Sequence, residues 1–156
     1  MYYKHAKFAH LLGLILWIGP STGGYLLFLL ARYQKNDAVV LWLLDRFINL
    51  VHLEAAGLLI LIASGFFMRS AVPELRYARW LKRKLAIVFA VFVPFELANL
   101  YIYDFIIKKA FSTGVGIAEA MLLYDKFSII SALVLLITIP FVFWLAIFRP
   151  GEIVGD

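Results

Sequence analysis

His10, His52, Glu54, Lys84, Glu96 and Asn99 are the residues whose chemistry needs explaining, because they stand within or beside long apolar runs of a chain that is 64% hydrophobic and 16% charged. An ionisable side chain at the centre of a bilayer costs about 2.5 to 3.5 kcal/mol, so a group kept at depth is by default a functional candidate. Imidazole offers an axial ligand to haem or a carrier for protons. Carboxyl and amide groups at depth hold protons or hydrogen-bond a small ligand.

On the first apolar run, offsets of three and four residues put His10, Gly13, Leu14, Trp17, Ser21 and Gly24 on one helical stripe. Small residues permit close approach there. Either a neighbouring helix packs on Gly13, Gly19, Gly23 and Gly24 with His10 as an interfacial hydrogen bonder, or a planar cofactor such as a porphyrin lies against the stripe. Further on, Asp45, Asn49 and His52 share a face, while Glu54 points to a different side. Glu96, Asn99 and Tyr103 share another stripe just after Pro94, whose missing N–H frees a carbonyl.

Depth relates these groups. His52 and Glu96 each fall about 8 to 12 Å into the apolar layer from the same side at ~1.5 Å per residue. The two are expected within reach of one another, as a packing hydrogen bond or as a haem, quinone or proton site. His10 starts near the opposite side, about 15 Å away along the axis, which argues against a single iron held by both histidines. His10 and His52 are therefore separate candidate metal ligands. Trp17, Gly13 and Lys84 complete the candidate cofactor-binding set, and Glu96, Asn99 and Glu54 are candidate buried polar or proton-handling groups. His5, before the first run, reads as solvated.

The elements that must position these residues follow from where the charges stop. Apolar blocks at about 8–31, 45–68, 84–106 and 125–148 each cross a ~30 Å hydrocarbon core as a helix. No segment keeps the strict alternation of a transmembrane strand. The expected fold is all-α: an integral membrane antiparallel four-helix bundle forming one domain over 1–156, with turns at Gln34 to Asp37, Pro73 to Glu74 and Ser112 to Gly116. The first run is expected to be retained rather than cleaved, since its apolar core is long and Arg32 and Tyr33 follow it.

Lys4, Lys7, Arg69, Arg76, Arg79, Lys82, Arg83, Lys84 and Arg149 gather on one side, against Arg32, Lys35, Arg46, Lys108, Lys109 and Lys126 on the other. That bias puts both termini in the cytoplasm of a bacterial or archaeal plasma membrane. Because the basic residues divide between two membrane faces, the net charge of +5 points to lipid headgroups and not to nucleic acid. With no cysteine, the chain has no disulfide, thiolate metal site, iron–sulfur cluster or cysteine nucleophile.

The runs His10-Leu-Leu-Gly13-Leu-Ile-Leu-Trp17-Ile-Gly19, Trp80-Leu-Lys82-Arg-Lys84-Leu and Trp144-Leu-Ala-Ile-Phe-Arg149-Pro150 together resemble the CopD and HemJ superfamily of small bacterial membrane proteins. The resemblance implies haem b or a tetrapyrrole substrate for HemJ-type protoporphyrinogen oxidases, or copper uptake for CopD-like proteins. Under it, His10 matches the first-helix histidine and Lys84 the basic residue opening the third helix. The stretch Pro20-Ser-Thr-Gly-Gly-Tyr25 stands where the HemJ pattern carries an arginine. For Cu(I), Met1, Met68 and Met121 are too dispersed to form a thioether ladder.

The leading expectation is a haem b-binding membrane protein in electron transfer or quinone-linked redox chemistry. A porphyrinogen oxidase using His10 and Lys84 is an alternative, as is a non-catalytic helix bundle or accessory subunit of a membrane complex, or a CopD-like copper uptake protein; the expected partners are the lipid bilayer, a quinone or tetrapyrrole, and further copies in a homo-oligomer or a larger membrane complex.

Overall fold

The computed structural model describes residues 2–34 and 37–149, and among these the chain is helical apart from short connections, with no strand. The long helices are α1 (Tyr2–Tyr33), α2 (Asp37–Ala71), α3 (Arg79–Thr113) and α4 (Ile117–Phe148). Each is long and apolar enough to cross a membrane. The expected turn at Gln34 to Asp37 lies partly outside the described residues. A 3₁₀ turn over Pro73–Arg76 joins α2 to α3. Gly114 and Gly116, at φ of 69° and 74°, make the reversal between α3 and α4, a left-handed backbone that glycine adopts without steric cost.

The helices outrun the spans expected from the charges. α3 covers 35 residues, about 52 Å at ~1.5 Å per residue, because polar ends do not stop a helix whose backbone bonds are satisfied internally. Large apolar side chains cover its neighbours' outer faces. On α4, Leu133, Leu136 and Ile137 are exposed, and only 11% of the most apolar window is buried. Such a surface suits acyl chains, not water.

α3 is irregular where it carries its polar residues. Pro94 lacks a donor and crowds the carbonyl of Ala90, and the helix widens to π geometry over Val88–Phe92 just before it. A second π segment spans Ile102–Ile107. Between them, the α-helical turn pair Val93–Tyr101 holds Glu96 and Asn99.

α1 and α2 form the most extensive helix pair, and two glycines set its closeness. A Cβ on Gly57 would sit 2.5 Å from the Trp17 nitrogen, and one on Gly13 would sit 2.8 Å from the Leu61 nitrogen and 2.9 Å from the Gly57 oxygen. The same absent Cβ of Gly57 lies 2.9 Å from the Leu16 oxygen, the carbonyl that Pro20 deprives of its helical donor. Gly19 and Gly23, expected to join this contact, face open space and do not pack.

The interior falls into two apolar clusters. Trp17, Leu58, Leu61, Val88 and Phe92 form one, and Leu43, Val51, Ile102, Tyr103, Ile107, Ala110, Ala120 and Tyr124 form the other. Along α2 and α3 respectively, Glu54 and Glu96 lie between the two.

Candidate functional site

Glu54, Glu96 and Asn99 are 8%, 7% and 9% exposed, which for ionisable and amide groups in so apolar a chain demands partners. They have partial sets. Ser21 on α1 donates to Glu54 Oε1, and Asn99 Nδ2 donates to Glu54 Oε2 at 3.4 Å. Trp17 Nε1 donates to Glu96 Oε2, also at 3.4 Å. The two carboxyl groups line the same cavity, Glu54 from α2 and Glu96 from α3.

The network is loose and incomplete. Its 3.4 Å bonds exceed the ~2.9 to 3.0 Å of an ordinary N–H···O bond. Among the described residues, Glu96 Oε1, Asn99 Oδ1 and Ser131 Oγ are buried with no hydrogen-bond partner. These three residues share the wall of one cavity of about 370 Å³, lined by α1, α2, α3 and α4 and open on one side. That volume is within the ~300 to 1,000 Å³ of small-molecule sites.

Aromatic rings make much of the rest of the wall. Trp17 and Phe92 lie 4.8 Å apart by centroid, Phe95 and Phe127 5.9 Å, and Tyr124 and Phe127 6.5 Å. Tyr124 and Ser128, one turn apart on α4, both line the cavity. The site is therefore an apolar, aromatic-lined pocket with carboxyl, amide and hydroxyl groups on its wall.

Compared with models of known protein families, with characterised proteins and with solved structures, the chain matches none. The site therefore has to be read from its own geometry.

The structure redistributes the expected site residues. Trp17 and the Glu96–Asn99–Tyr103 stripe all face inward, with Tyr103 3% exposed. Glu96, however, shares its cavity with Glu54 and not with His52. His52 Nε2 lies 3.3 Å from Asp104 Oδ2, and the two side chains are 53% and 31% exposed. The pair occupies the outer side of α2 and α3, opposite in sense to the cavity. The side chain of Asp45 lies outside the described ones, and Asn49 is exposed. Because an exposed pair contributes about 0 to 1 kcal/mol, His52→Ala is expected to leave the melting transition within that range and ligand binding unchanged. A titration in which His52→Ala removes binding would return His52 to the site.

His10, Gly13 and Lys84 belong to a different region. His10 Nδ1 is 3.0 Å from both the Leu61 carbonyl and the Ser64 hydroxyl, and Gly65 stands against the ring. A ring whose Nδ1–H is held by a carbonyl has its Nε2 left as a ligand atom, the arrangement common behind metal-bound imidazoles. The space beside it is about 140 Å³, below the ~300 Å³ at which small-molecule pockets begin. Among the described residues, no three His, Asp or Glu side chains are grouped to hold a metal ion.

Ser21, Ser131, Tyr124 and Gly57 are site or scaffold residues that spacing did not single out for these roles. Ser21 was on the right stripe. Ser131 and Tyr124 gave no signal, because a serine or tyrosine in a membrane helix is ordinary until a cavity is known beside it.

Proposed function

We propose that the chain is a multi-pass protein of a bacterial or archaeal plasma membrane whose four spans stand as an antiparallel bundle with both termini cytoplasmic. We propose further that it binds a quinol-type ligand in the acidic cavity, in quinone-linked redox chemistry. The observation that carries the reading is the convergence of the unpartnered Glu96 Oε1 and Asn99 Oδ1 on an aromatic-walled slot of about 370 Å³. Unsatisfied acceptors want a donor, and a dihydroxy aromatic ring supplies two donors on a flat apolar body. Glu54 and Glu96 stand on the wall that the hydroxyl groups of such a ring face. When the ring is oxidised, its two protons leave to carboxylate or water and its two electrons to a one-electron haem or iron–sulfur carrier in a partner subunit of a larger complex.

The test uses the detergent-purified protein and a short-chain benzoquinol, read by tryptophan fluorescence. Trp17 lines the cavity, so saturable quenching is expected, and Trp17→Phe should remove most of it. The reduced ring should bind about tenfold tighter than the oxidised one, the ~1.4 kcal/mol of one added hydrogen bond. Equal affinity of the two forms, or no saturation, would count against a quinol site.

Haem b at His10 is the second reading, favoured by the Leu61 carbonyl behind Nδ1 and by the CopD and HemJ resemblance. It requires the contacts around His10 to open well beyond the cavity present. The two readings differ in the visible spectrum. The purified protein is expected to show no Soret band, and a reduced-minus-oxidised haem spectrum lost in His10→Ala would establish the second reading instead.

A further inference from the structure

The cavity beside His10 holds a different chemistry from the acidic one. Four basic side chains, His10, Arg69, Lys84 and Arg149, reach its wall, and among the described residues no carboxyl does. The chain brings them from every long helix. His10 comes from α1, Arg69 from the last turn of α2, and Lys84 from the first turns of α3, one turn beyond the buried Trp80. Arg149 caps α4 at φ 43°, and its guanidinium lies 5.7 Å from the centroid of the Trp80 ring.

The His10 ring is fixed by Leu61 and Ser64, and the Lys84 ammonium is close enough to act on it electrostatically. Lys84 is only partly exposed and has no acidic partner among the described residues. Cations that share an apolar recess lose hydration, and Lys84 above all is stabilised by an anion that reaches it. Guanidinium groups match the oxygens of a phosphate in a bidentate fork, and a lysine adds a point charge. At about 140 Å³ the recess has room for a headgroup and not for a whole amphiphile.

We propose that this recess binds a phosphate-bearing anion, presented by the headgroup of an acidic phospholipid. The location supports the lipid source: Arg69 and Arg149 end their helices and Lys84 opens its own, so the site lies at the level where basic residues meet headgroups.

Native mass spectrometry of the detergent-solubilised full chain tests it, with phosphatidylglycerol and phosphatidylcholine added at equal concentration. One phosphatidylglycerol per chain is expected to persist at collision energies that strip phosphatidylcholine. Lys84→Met should weaken that retention about fivefold or more, and Lys84→Arg should restore it. Arg149→Met is the second variant should Lys84→Met fail to fold, with helicity and melting followed for each. Equal retention of the two lipids, or retention unchanged in both folded Met variants, overturns the site. Displacement of phosphatidylglycerol by millimolar inorganic phosphate would keep the phosphate chemistry and overturn the lipid source.

Discussion

Gly57→Ala is expected to disrupt the joining of α1 and α2, while Gly19→Ala leaves it intact. The added methyl of Gly57→Ala would lie 2.5 Å from the Trp17 nitrogen and 2.6 Å from the Leu16 carbonyl carbon, both backbone atoms that no rotamer change can move. Overpacking of this kind costs about 1 to 3 kcal/mol when side chains can adjust, and here the helices themselves must part. At Gly19 a methyl meets nothing within 4 Å, and alanine's helix propensity gains about 0.5 to 1 kcal/mol. Thermal denaturation followed by circular dichroism and by light scattering checks both. A Gly57→Ala protein that melts with the wild type would mean that the helix pair is held by other contacts.

Glu96→Met should separate function from stability at the acidic cavity. Removing a carboxyl that offers Oε1 to a ligand is expected to weaken benzoquinol binding about 10- to 100-fold, the ~1.5 to 3 kcal/mol of a hydrogen bond to a charged group. Stability should change little. Methionine fills nearly the same volume, and relieving a buried polar atom of its unmet hydrogen bond offsets the partner lost by Trp17 Nε1. Isothermal titration and denaturation of the same preparations read the two effects. A Glu96→Met protein that binds as before, or one that loses binding and stability together, would make the carboxyl pair a packing device. Asn99→Leu should reproduce the binding loss, since Asn99 Oδ1 is the other unpartnered acceptor at the wall.

The number of long apolar helices and the inward stripes were legible in the chain, because each depends on one helix alone. Charges bound the apolar runs, and a period of 3.6 residues fixes which side chains share a face, so Trp17 with Ser21 and Glu96 with Asn99 and Tyr103 could be grouped without a structure. The same period says that Glu54, two residues past His52, lies about 200° around α2 from it. It does not say which of the two looks inward.

That was decided between helices. The approach of α1 to α2 is set by the backbone contact at Gly13 and Gly57, and this contact turns Glu54 toward Ser21 while His52 faces out to Asp104. Gly19 and Gly23 had the same composition signal as Gly13, yet only the structure shows that nothing meets them. The π segment that precedes Pro94 likewise had no signal in the periodicity, and Glu96 follows it on the wall that it shares with Glu54. Periodicity fixes angles within a helix; the rotation and height of one helix against another depend on where two backbones can touch, and that is a property of the pair.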